Sequence, residues 1–149
     1  MRLLTGAVSG PFAAAAALLI AAPAILTFSA VPAGAACLLA TQKPMTEAEL
    51  LFGRDIPGGG TVSDADWTSF VDTALAVTFP DGFTIDDAQG GWRDVKTGAA
   101  VREASKIVLV DGDGSAMFGA RLERVAEAYR KRFHQDAVGI VTREVCAAF

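Results

Sequence analysis

The chain has 149 residues, 52% of them apolar, with 17 acids against 13 bases and a formal charge of −4. Residues 1–36 hold 25 of the apolar residues, a single charge (Arg2) and no acid, whereas the remaining 113 are an ordinary globular mixture with 12 bases against 17 acids, or −5. This division excludes a multidomain enzyme, a disordered chain and a polytopic membrane protein, and the acidic balance excludes nucleic acid as an expected partner.

The first 36 residues read as a secretory signal peptide. Met1-Arg2 supplies the positive start, Phe12 to Phe28 the apolar stretch, and Ala33-Gly34-Ala35-Ala36 the small residues a signal peptidase needs. Cleavage after Ala35 and after Ala36 fit equally well. An uncleaved anchor is the rival reading, since Phe12 to Val31 is long enough to span a bilayer, but Pro23 interrupts it. The protein is therefore expected to be exported, periplasmic or secreted, with residues 37–44 as a short N-terminal segment and 45–149 as the domain.

Ala48 to Ile56 is a short apolar run before Pro57-Gly58-Gly59-Gly60, which predicts a strand ending in a turn. Ser63 caps a helix with Asp64 and Asp66 in its first turn, where the helix dipole favours negative charge. Trp67, Phe70, Val71, Ala74 and Val77 form its predicted buried stripe. Phe79-Pro80-Asp81-Gly82 ends the helix and Phe83 starts a second strand, with a bulge or bend expected at Gly90-Gly91. Lys96-Thr97-Gly98 turns the chain into a third strand reaching Val110. Its last four residues are apolar at both parities, the mark of a central strand. Asp111 to Gly114 reads as a loop and Ser115 as a second cap. Met117, Leu122, Val125, Ala126, Tyr129 and Phe133 give the next helical stripe, and Val138 to Cys146 the last strand.

The order strand, helix, strand, strand, helix, strand predicts an α+β, ferredoxin-like split βαβ fold. It is a four-stranded antiparallel sheet with two helices on one face. The first and third strands are central in that fold, and they are the two most continuously apolar ones here. Leu50, Leu51 and Phe52 place apolar groups on both faces, so the uncovered face calls for a partner subunit, a terminal segment or a ligand. A homodimer through this face is the expected partnership.

Two fates of Cys37 exclude one another. In an oxidising compartment it pairs with Cys146, closing most of the mature chain for ~4–5 kcal/mol in the chain-entropy model. Alternatively it is acylated as a lipoprotein cysteine, which with an uncleaved leader is the only membrane attachment expected. Gly34 stands where a lipobox usually has Leu, which favours the disulfide.

The segments MTEAELLFGRDI (45–56), VSDADW (62–67), FPDG (79–82), DAQGGW (87–92), VREASK (101–106) and the tail YRKRF…CAAF resemble the bacterial family of domain of unknown function 3574. The resemblance covers nearly all of residues 45–149 and implies a small exported protein, often with cysteines near both mature ends. Gly91 stands where the family more usually has Gln, and Ala104 where it has Pro before Ser-Lys. The resemblance supports the fold and implies no activity.

No catalytic constellation, metal cluster or cofactor motif emerges from the sequence. Arg54 is a candidate for bidentate recognition of a carboxylate or phosphate, against a structural ion pair with Asp55, Asp87 or Glu103. Asp87, Gln89, Trp92 and Arg93 on the second strand face Arg102, Glu103, Ser105 and Lys106 on its hairpin partner. They offer a polar pocket with an aromatic wall, against plain cross-strand pairing. His134, the single histidine, suits a helix end after Arg130-Lys131-Arg132. The DGDGS loop fails as a calcium loop, because Ala116 and Leu122 stand where Gly and Glu are required. The sequence therefore favours a non-catalytic binding or interaction module using the uncovered sheet face. The alternatives are a small enzyme built on Arg54, Asp87, Trp92 and Glu103, and a lipid-anchored envelope protein acylated at Cys37.

Overall fold

The computed structural model describes residues 37–149, so the expected signal peptide lies outside the described residues. The elements run β1 (Lys43–Gly53), α1 (Asp64–Phe70), a π-helical turn (Val71–Leu75), α2 (Ala76–Thr78), β2 (Thr84–Arg93), β3 (Ala100–Gly112), α3 (Ala116–Phe133) and β4 (Gly139–Ala147). The sheet order is β2-β3-β1-β4 and every pairing is antiparallel. This is the ferredoxin-like arrangement, with β1 and β3 central.

Strand parity builds the core. Ala48, Leu50 and Phe52 of β1, with Val108 and Val110 of β3, are fully buried under the helices. Phe52 makes edge contacts with Trp67, Phe70 and Tyr129 at centroid separations of 5.4, 5.9 and 4.8 Å. The Tyr129 hydroxyl donates to the Gly53 carbonyl at 2.9 Å, and burial pushes its pKa up to about 12. Residues of the opposite parity, among them Glu47, Glu49 and Leu51, face away from the helices.

Both helices start as expected. Ser63 Oγ accepts from the Asp66 amide at 3.1 Å and Ser115 Oγ from the Phe118 amide at 3.2 Å. Their stripes need correction. The π turn inserts a residue into the first helix, so the core position passes to Leu75 while Val77 is 71% exposed. Thr73 Oγ1 donates to the Ser69 carbonyl at 2.6 Å, and Arg132 of α3 donates to Ser69 Oγ at 2.9 Å, which anchors the widened turn. In α3 the first buried residue is Phe118, four residues before Leu122 and on the same face, whereas Met117, five before it, turns outward and is 72% exposed. His134 closes α3 in the left-handed region at φ 53°, its amide donating to the Arg130 carbonyl.

Two strand expectations also change. β1 starts at Lys43, inside the segment expected to precede the domain, because its polar end pairs with β4 from Lys43↔Ala147 onward. Gln42 Nε2 donates to the Cys146 carbonyl at 3.1 Å, and Cys37 and Cys146 form the disulfide with Cα atoms 5.6 Å apart. No bulge or break occurs at Gly90-Gly91. The β2–β3 pairing runs one to one from Thr84↔Leu109 to Arg93↔Ala100, and Gly90 stands opposite Glu103, whose carboxylate reaches across to the Asp55 amide.

Two stability predictions follow from this packing. Leu75→Ala is expected to cost ~2–5 kcal/mol in denaturant unfolding and Val77→Ala less than about 0.5, the reverse of what a regular helix implies. Replacing Cys37 and Cys146 together by Ser, which opens a separation of 109 residues, is expected to cost up to ~4.7 kcal/mol in the chain-entropy model. Equal midpoints for oxidised and reduced protein would contradict it.

Candidate functional site

The residues singled out from sequence fall into separate places. Arg54 leaves β1 on the helix-side parity, its side chain only 13% exposed. Its Nε donates to the Val62 carbonyl at 2.8 Å, and its Nη2 lies 2.8 Å from Asp64 Oδ1. Its ion pair is thus with Asp64, at the start of α1, and not with Asp55, Asp87 or Glu103. Asp87 sits opposite Lys106 and pairs with its ammonium. That hydrogen bond, with the Lys106 charge, holds the Asp87 carboxyl below its ordinary range, and Arg54 adds to the effect.

Glu103 and Ser105 have the opposite strand parity to Lys106. Glu103 Oε2 accepts from the Asp55 amide at 3.2 Å, and its carboxylate lies so close over Gly53 that a Cβ there would come within 2.6 Å. Gln89 is exposed opposite Ala104. Trp92 is five residues beyond Asp87, about 16 Å along the strand, and on the other face. With Arg93 it borders a shallow hollow of about 390 Å³ at the hairpin end. Arg54, Asp87 and Lys106 therefore share one face, and Glu103 and Trp92 the other.

A further cavity lies where β3 runs past β2. β3 outlasts β2: Thr84 is already opposite Leu109, so Val110, Asp111 and Gly112 continue without a β2 partner while the 79–83 loop curves past them. There a cavity of about 680 Å³ opens, lined by Phe79, Phe83 and Phe118 as apolar walls and by Glu47, Asp111 and Arg121 as polar ones. Gly112 admits the Phe118 ring, since a Cβ would lie 2.3 Å from Phe118 Cδ2.

Glu47 and Asp111 are direct cross-strand partners. Arg143 of β4 lies against Glu47 and 3.1 Å from Glu49. Burial first, then the charge of Glu47, pushes the Asp111 carboxyl above its ordinary range, with Arg143 opposing. Among the described residues, three buried side-chain polar atoms lack a hydrogen-bond partner: Glu47 Oε1, Asp111 Oδ1 and Arg121 Nε. The Arg143 guanidinium holds Glu47 Oε1 in an ion pair, so of the three only Asp111 Oδ1 and Arg121 Nε have no partner at all. All three residues line this one cavity. The apolar-run criterion hid the site by starting the first strand at Ala48 and treating Asp111 as loop. The alternation of Glu47, Glu49 and Leu51 was its one visible sign.

Among the described residues, no group of three His, Cys, Asp or Glu side chains is placed to hold a metal ion, and no helix is long and apolar enough to cross a membrane.

No curated protein matches the chain by sequence. Among solved structures, a phage SAM lyase in complex with S-methyl-5'-thioadenosine is similar at 13% identity and a TM-score of 0.54, over 70% of this chain and 90% of that one. The apo state of the phage SAM lyase is similar at 16% and 0.52, over 71% and 90%. CutA from Synechococcus elongatus PCC7942 reaches 9% and 0.48, over 72% and 83%. At such identities the likeness is one of fold alone. The sequence profile of the family described as protein of unknown function (DUF3574) matches residues 47–149, and the chain belongs to that family.

Proposed function

We propose that this protein is an exported, non-catalytic binding module that holds a small ligand in the cavity at the end of its open sheet face. The observation that carries the reading is the convergence on that cavity of two unpartnered buried polar atoms, Asp111 Oδ1 and Arg121 Nε, beside the ion-paired Glu47. Buried polar groups are ordinarily satisfied, and a ligand that hydrogen-bonds to them supplies what the fold leaves out. The aromatic walls provide the apolar contact, and the polar groups fix orientation. Export is supported by the leader composition and by the disulfide, whose formation leaves no Cys37 thiol for acylation. Intact mass with and without reductant separates disulfide from lipid.

The homodimer expected from the sequence would seat a second copy on the same open face, over the exposed Leu51 and Val141. Sedimentation of the purified protein tests it.

The ligand reading is tested by native mass spectrometry of protein purified from its host, and by ligand-induced thermal shift. S-methyl-5'-thioadenosine belongs among the probes because a protein of this fold binds it, although fold likeness assigns no ligand here. Asp111→Asn and Arg121→Leu are each expected to abolish retention of the copurifying molecule. Unchanged retention in both variants ends the reading.

Asp111 also gives a pH signature. A carboxyl with a raised folded-state pKa costs stability as pH climbs from its unfolded value of 3.8 through the folded one. Asp111→Asn is therefore expected to raise the thermal midpoint at neutral pH. The gain should vanish at acid pH, where the native carboxyl is protonated in both states. A gain of equal size at both pH values would refute the burial argument.

A further inference from the structure

Beyond the cavity, the open sheet face carries a pattern that selects a partner by charge. Register places its side chains in rows across the strands. Leu51 lies beside Ile107, which lies beside Asp86, and Val141 and Leu109 flank Glu49. The next row sets Arg143 and Asp111 on either side of Glu47. Leu51 is 38% and Val141 48% exposed. The open face thus carries five carboxylates, Glu47, Glu49, Asp86, Glu103 and Asp111, against two bases, Lys43 at the start of β1 and Arg143, and Arg143 is already shared by Glu47 and Glu49.

We infer that this face docks a basic amphipathic protein segment, a helix whose apolar side covers the Leu51–Val141 centre while its Lys or Arg residues meet the surrounding acids. The charge imbalance selects this occupant over a second copy. A copy would bring the same surplus of carboxylates onto itself, and like charges in juxtaposition across an interface are unfavourable. Helix-in-groove recognition supplies the apolar part, and opposite potentials supply orientation and on-rate.

The probe is a helical peptide of Leu–Lys repeats, compared with its Leu–Glu counterpart and titrated by fluorescence anisotropy against the purified protein. The Leu–Lys peptide is expected to bind, more weakly as salt rises, and the Leu–Glu peptide not to bind. Val141→Asp and Asp86→Lys are each expected to weaken binding about tenfold, while Glu123→Lys on α3 leaves it unchanged. Circular dichroism confirms that each variant is folded; Asp86, exposed on an edge strand, keeps the test alive if Val141→Asp unfolds. Equal binding of both peptides, or indifference to both face variants, overturns the inference. A sedimenting dimer that Asp86→Lys stabilises or Val141→Asp dissociates also overturns it, because the face would then belong to a second copy.

Discussion

The ring of Phe52 is the contact on which the rest of the structure depends. It stands on the first central strand and touches Trp67 and Phe70 of the first helix and Tyr129 of the last. Three elements distant in sequence are thereby fixed to one point. Aromatic edge contacts of this kind add to simple burial, and shifting Phe52 by one position would turn the whole strand over. The Tyr129 hydroxyl, bonded to the next carbonyl along, makes that shift costlier still. Once Phe52 points inward, Glu47, Glu49 and Leu51 must point outward. The acidic and apolar open face is thus a consequence of how the core is locked.

Those parts of the fold governed by local periodicity were legible in the sequence. Ser63 and Ser115 announce their helices, Ile107 to Val110 announce a central strand, and the order of elements leaves little choice of topology. Features set by tertiary contact were not. The π turn that replaces Val77 by Leu75 is anchored by Arg132, sixty residues away in the chain and invisible to any local window. The start of β1 was hidden for a related reason. Lys43 to Glu47 has Met45 as its single large apolar residue, too little for a periodic signal, and becomes strand where β4 pairs with it beside the disulfide.

The candidate sites show the same limit. The end of the first strand and the hairpin suggest one pocket for Arg54, Asp87, Glu103 and Trp92, but strand alternation sends them to different faces and their charges are largely occupied. Arg54 clamps the loop that leads into the first helix, and Lys106 neutralises Asp87. Such satisfied pairs stabilise a surface and leave little capacity for a ligand. Glu47 meets Asp111 only through the pairing of β1 with β3, and the cavity they share with Arg121 opens because β3 outruns β2.

That last arrangement is hard to reconcile with selection for stability alone. Two carboxylates directly opposite on neighbouring strands repel, and partial burial raises the cost of keeping both charged. Arg143 offsets part of this from one side only, since it lies against Glu47 and Glu49 and gives Asp111 no hydrogen bond. A domain of this size has little stability to spare and already closes its ends with a disulfide. Replacing Asp111 by a neutral residue would relieve the strain within a single mutational step. Local rules broken with only partial compensation inside the fold are the usual mark of a functional site. The compensation here is expected from outside, in a molecule that enters the cavity and hydrogen-bonds to the groups the protein leaves unpaired.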